Sequence, residues 1–197
     1  SRTKFITLLC HTDLFYTVVT IMMLVRILLL LSGDVERNPG PAYCKLKKLS
    51  VCHCNIRGLN ESKMRAIKTS LCDFDIITLS ETFLSQSSSH DLSLPGYHPI
   101  VRRDRDSFGG GVAVFIRENI MFKRLYEFEV SNDLEVIWLE LNSLEGKVLL
   151  STVYRPPSNN QFWDLLDVNI EHVKSASNSH YMMLIGDMNS DFGTING

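Results

Sequence analysis

The polar residues best suited to chemistry in this sequence stand at the ends of short apolar runs. Asn55 closes the alternating run Lys48–Asn55, and Glu81 follows the apolar run Asp75–Leu79, in Leu79-Ser80-Glu81-Thr82. Tyr154 closes Lys147–Tyr154, and Asp187 and Asn189 lie in Ile185-Gly186-Asp187-Met188-Asn189. A single strand-end Asp or Asn is ordinarily a turn residue; several such endings in one chain suggest one shared rim. Their hard oxygen donors suit Mg²⁺, with Mn²⁺ as its substitute, and the chemistry they fit is metal-assisted hydrolysis of a phosphodiester. In that reading Glu81 supplies a metal ligand and Asn55 orients it. Asp187 activates or orients an attacking water, Asn189 holds Asp187 or the phosphate, and Tyr154 bonds a phosphate oxygen. The histidines at 11, 53, 90, 98, 172 and 180 show no Asp-His context at a strand end.

The elements that must position these groups read as strands interrupted by helices. Further apolar runs at Gly111–Ile116 and Leu134–Leu141 predict strands. Met64, Ile67 and Leu71 make one stripe of a helix over Ser62–Leu71. Phe162, Leu165, Leu166, Ile170 and Val173 do the same over Gln161–Val173, with Ser158 and Gln161 as a capping box. Each helix sits between strands, which predicts an α/β or α+β sheet protein. Arg102, Arg103 and Arg105 stand beside Gly109-Gly110-Gly111. This predicts a basic loop next to the rim, meeting DNA phosphates in a salt-dependent and sequence-independent way, offset by Asp104 and Asp106.

The 197 residues suffice for one ordinary domain plus an extension. A hydrophobic fraction of 45% fits a globular core, and nothing in the bulk composition points to disorder. The net charge of −2 excludes a strongly basic nucleic-acid binder, so any DNA contact rests on local features. The five cysteines show no C-x₂-C spacing and read as reduced thiols rather than zinc ligands.

Residues 1–41 are different in kind. Leu14–Leu31 is nearly all apolar, with Arg26 as its one charge and Arg2 and Lys4 before it. The run predicts an apolar helix, and for residues 1–40 a signal or membrane segment, with membrane contact at 14–31. Arg26 opposes insertion by a few kcal/mol. The following Asp34-Val35-Glu36-Arg37-Asn38-Pro39-Gly40-Pro41 resembles the end of 2A-like ribosome-skipping peptides. Pro41 is a hindered nucleophile next to a chain stiffened by Pro39. The resemblance implies that an upstream segment held in the ribosome exit tunnel prevents the Gly40–Pro41 bond from forming, with Asn38, Pro39, Gly40 and Pro41 as the skipping site. The organisation expected is then 1–41 skipping peptide, 42–48 linker and 49–197 globular domain.

From about Leu49 to Phe192 the chain resembles the exonuclease–endonuclease–phosphatase superfamily, and within it the apurinic-type endonuclease domain of non-LTR retrotransposons. The pieces that carry the likeness come in the family's order. They are Asn55-Ile56-Arg57-Gly58-Leu59, Ile77-Thr78-Leu79-Ser80-Glu81-Thr82, the basic and glycine-rich turn Arg102–Val112, Val153-Tyr154-Arg155-Pro156-Pro157, and Ile185-Gly186-Asp187-Met188-Asn189. The resemblance implies a four-layer αββα sandwich acting on DNA in the nucleus or cytoplasm. It implies Glu81 as metal ligand with Asn55 nearby, Tyr154 on the phosphate and Asp187 with Asn189 at the attacking water. It also implies nicking that leaves a 3′-hydroxyl for a downstream reverse transcriptase in the same polyprotein. The chain departs from the pattern at Arg57, where many relatives carry an acid. The family's later Asn or Thr, its downstream Asp and its final Asp-His pair are expected beyond Gly197. The chain thus reads as a fragment truncated on its C-terminal side and inactive alone. The alternatives are a phosphatase or phosphodiesterase of the same superfamily, or a decayed copy without activity.

Overall fold

The computed structural model describes residues 49–88, 91–106, 108–129, 131, 133–143, 146–177 and 181–190, with the backbone of 7–8 and 25–27. The chain order is β1 (Thr7–Leu8), β2 (Val25–Ile27), β3 (Leu49–Asn55), α1 (Glu61–Ser70), β4 (Ile76–Ser80), β5 (Val101–Arg103), β6 (Val112–Ile116) and β7 (Phe122–Arg124). A 3₁₀ turn (Tyr126–Phe128), β8 (Glu135–Ser143), β9 (Gly146–Tyr154), α2 (Phe162–Ala176) and β10 (Tyr181–Asp187) follow. One sheet runs β2-β3-β4-β6-β5 and the other β1-β10-β9-β8-β7. β3 and β4 are parallel, as are β9 and β10, whereas β6 and β8 run antiparallel to their neighbours.

Period-2 alternation makes the layers. Leu49, Val51, Ile76, Val112, Val114 and Ile116 of the first sheet pack face to face with Ile137, Leu139, Leu141, Val148, Leu150, Met183 and Ile185 of the second. The opposite face of the first sheet buries Met64 and Ile67 of α1, and that of the second buries Phe162, Leu166 and Val173 of α2. The result is the expected αββα sandwich.

Local chemistry fixes both helices. Asn60 caps α1 by accepting from Lys63 N at 3.0 Å, and Glu61 and Lys68 complement the helix dipole at its two ends. The expected Ser158 capping box does not form. Asn159 N closes a turn on Pro156 O, Asn159 Oδ1 accepts from Gln161 N, and α2 begins at Phe162 without a side-chain cap. Buried Trp138 donates to Asn169 Oδ1 at 2.7 Å, and Asn169 Nδ2 donates to Phe128 O at 2.8 Å, so α2 is tied to its sheet by satisfied polar groups.

Two expectations change. Within the run read as an apolar helix, Val25–Ile27 is a strand antiparallel to β3. A run that is apolar on every side carries no helical period, and the edge of β3 offers unpaired backbone groups. The rest of that run and the skipping motif at 34–41 lie outside the described residues. Among the described residues no helix is long and apolar enough to cross a membrane. Arg102 and Arg103 belong to β5, paired with Ala113 and Val112, rather than to a loop.

Candidate active site

The inward faces of the strands turn polar towards one end. β3 reads Leu49, Val51, His53, Asn55 along that face, and β10 reads Met183, Ile185, Asp187. β3, β4, β9 and β10 all finish at this rim, so their last residues meet there. Asn55 Nδ2 donates to Glu81 Oε1 at 2.8 Å and to Asp187 Oδ2 at 2.7 Å, across the two sheets. Its Oδ1 accepts from Arg57 N at 3.2 Å, which fixes the orientation of the amide. Asp187 Oδ1 accepts from Asn189 N at 3.0 Å, and Asn189 Nδ2 donates to Arg155 O at 2.7 Å. The Tyr154 hydroxyl bonds Glu81. The structure therefore brings Asn55, Glu81, Tyr154, Asp187 and Asn189 into one network.

This rim is conformationally strained and firmly held. Among the described residues, the non-glycine residues at positive φ are Arg57, Glu81, Phe83 and Asn189, at 44°, 53°, 53° and 43°. Each left-handed residue costs about 1–2 kcal/mol, and such residues persist where the surroundings over-determine them. Here Gly58 N and Leu59 N donate to Glu81 O and Thr82 O, both at 2.7 Å, while Thr82 N and Phe83 N donate to Gly111 O and Gly110 O. Lys63 Nζ holds Ile56 O and Arg57 O at 2.6 and 2.7 Å. Arg155 Nη1 reaches Asn189 O at 3.0 Å and Ser190 Oγ at 3.1 Å, which locks the turn after β10. Gly186 is required where β10 pairs with Val153 of β9, because a Cβ there would collide with the Val153 carbonyl.

Burial shapes the electrostatics. Desolvation, reinforced by the Glu81 carboxylate, raises the Tyr154 hydroxyl well above its ordinary value, so it stays a proton donor across the physiological range. Burial pushes the His53 imidazole down to about 4 against the opposite pull of Asp187. The neutral ring bonds Thr78 Oγ1 at 2.9 Å and Ser80 Oγ at 3.3 Å.

Residues 52–195 match the Endonuclease/Exonuclease/phosphatase family. The chain belongs to that family. None of the curated proteins matches the sequence. Among solved structures, the endonuclease domain of TRAS1, a telomere-specific non-LTR retrotransposon, is similar at 12% identity and a TM-score of 0.53. The match covers 72% of this chain and 61% of that one. A mannosyl-6-phosphatase of Bacteroides thetaiotaomicron is similar at 18% identity and a TM-score of 0.50, over 73% and 66% of the two chains. These likenesses are of fold, and the chain spans less than two thirds of either structure's length.

Members of the endonuclease/exonuclease/phosphatase family hydrolyse phosphodiesters or phosphate esters, generally with a divalent metal. Among the described residues no three His, Cys, Asp or Glu side chains form a metal cage. The rim still fits a hard cation, because Mg²⁺ keeps several waters and needs only one or two carboxylates. Glu81, with the Asn55 amide bonded to it, is the carboxylate at this rim that fits such an ion.

The three arginines expected at the DNA edge are all engaged within the protein. Arg102 pairs with Asp104 at 3.6 Å, Arg103 donates to Val136 O and Ser131 O, and Arg105 donates to Glu135 at 2.8 Å. Phe108, on the same turn, is 94% exposed.

Lys63, Arg155 and Glu135 hold backbone groups around this rim and were passed over by the sequence reading. Only Glu135 carried a signal. It shares the alternation of Ile137, Leu139 and Leu141, which places a charge on the face between the sheets.

Proposed function

We propose that the chain is part of a divalent-metal-dependent DNA endonuclease of the non-LTR retrotransposon type. The observation that carries the reading is the Asn55 amide joining Glu81 and Asp187 across the sheets. The five ordered sequence pieces support the retrotransposon type over a phosphatase of the same family. Glu81, with Asn55 beside it, would hold Mg²⁺ or Mn²⁺. When bound, the cation supplies charge neutralisation at the scissile phosphate. Asp187, held on both oxygens, orients the attacking water and accepts its proton, and Asn189 keeps that carboxylate fixed. Tyr154, kept protonated by burial, would turn its one hydroxyl hydrogen from Glu81 to a phosphate oxygen. Arg102, Arg103 and Arg105 shape the basic edge, from which part-exposed Arg105 and Phe108 face DNA. The nick leaves a 3′-hydroxyl from which a reverse transcriptase of the same polyprotein extends. The Asp34–Pro41 motif releases this domain from the preceding segment during translation.

The test uses a polypeptide that carries the chain within a domain of the family's full length. It should nick supercoiled plasmid with Mg²⁺, stop in chelator, and leave ends that a polymerase extends without phosphatase treatment. Ends that need phosphatase treatment, or nicking indifferent to chelator, would rule the reading out.

A further inference from the structure

Glu135 opens β8 on the inward face, and its side chain is only 6% exposed. Its Oε2 accepts from Gly111 N at 2.5 Å and its Oε1 from Arg105 Nη1 at 2.8 Å. Gly111 belongs to the opposite sheet's entry turn, so this carboxylate crosses the sandwich. The same turn accepts Thr82 N on Gly111 O at 3.2 Å and Phe83 N on Gly110 O at 3.0 Å. Those amides follow Glu81 directly, in the segment where Glu81 and Phe83 are both left-handed. Gly111 has φ +84°, and a Cβ there would meet Thr82 Oγ1, so a side chain at this position would strain the link. One clamp is made by Gly58 N on Glu81 O and Leu59 N on Thr82 O; the second, from the glycine turn, is anchored by Glu135 of the other sheet. Arg105 provides the countercharge that a buried carboxylate needs.

We infer that Glu135 is a positioning residue for Glu81, acting across the two sheets through the Gly110–Gly111 turn. The inference rests on the reading of Glu81 as a metal ligand, and its test separates the two claims. The full 197-residue chain is titrated with Mn²⁺, followed by the paramagnetic resonance of the free ion, and hydrogen exchange is followed in peptides spanning Leu79–Leu84. Glu81→Gln should weaken Mn²⁺ binding by about tenfold or more. Glu135→Ala should weaken it by about tenfold as well, and speed exchange at Thr82 and Phe83 by roughly fivefold while α2 is unchanged. Glu135→Gln keeps one acceptor for Gly111 N–H but gives up the Arg105 pair, so it should recover a clear part of both effects, which a loss of general stability would not explain. Glu135→Asp keeps the charge but falls a methylene short, and should reproduce the alanine effects in a folded chain. If Glu135→Ala does not fold, Glu135→Asp decides. Unchanged exchange and Mn²⁺ affinity in the folded Ala or Asp variant would overturn the inference. If Glu81→Gln binds Mn²⁺ like wild type, the metal reading falls, and exchange at Thr82 and Phe83 alone decides the role of Glu135.

Discussion

Asn55 does the work of a cation without carrying a charge. Its NH₂ group has two hydrogens and spends both on carboxylates, so Glu81 and Asp187 stand close together without an arginine between them. A second tied residue, remote from the chemistry, is open to a pH test. The Tyr97 hydroxyl donates to Phe74 O at 2.5 Å and Cys72 O at 3.2 Å, and burial pushes it up to about 12 although the Arg117 guanidinium pulls it down. The folded pKa lies above the unfolded one, so this stabilisation is complete below about pH 10 and is lost as pH rises towards 12. Urea midpoints should therefore fall between those pH values by an amount worth roughly 2–3 kcal/mol. Tyr97→Phe, less stable at pH 8, should lack that part of the slope. An identical alkaline slope in the variant would show that Tyr97 is not its source.

At the scale of elements, the strands that end in site residues were legible and their surroundings were not. β3, β4, β9 and β10 announce themselves by apolar runs with a polar final residue, because inward positions alternate and the rim is wet. The short edge strands β5 and β7 went unread because three residues give no period, and Val101–Arg103 carries as much charge as a loop. The five residues that meet at the rim, the candidate site, were readable one by one from strand ends. The clamps were not: Lys63 and Arg155 act on backbone carbonyls, and any sequence with a lysine on α1 or an arginine before a proline pair looks the same until the carbonyls are placed. Glu135 was half legible, since its alternation gave its face and nothing gave its partner Gly111.

At the scale of the whole molecule, two sheets contribute one centre. Asn55 and Glu81 come from one and Tyr154, Asp187 and Asn189 from the other, so the centre forms only when the sandwich closes. The N-terminal motif stands apart from that centre and has its own test. With the chain placed between two reporters in a cell-free translation system, the wild type should yield separate products and Pro41→Ala a single fused one. A fused wild-type product would remove the skipping reading and leave the domain untouched. The central claim is tested most directly by Mg²⁺-dependent nicking rates of Glu81→Gln and Asp187→Asn in the full-length domain, beside their thermal midpoints. Each variant should lose on the order of 10²–10⁴-fold in rate while melting within a few degrees of wild type. A folded Glu81→Gln or Asp187→Asn protein that nicks at the wild-type rate would contradict the assignment of this rim as the catalytic centre.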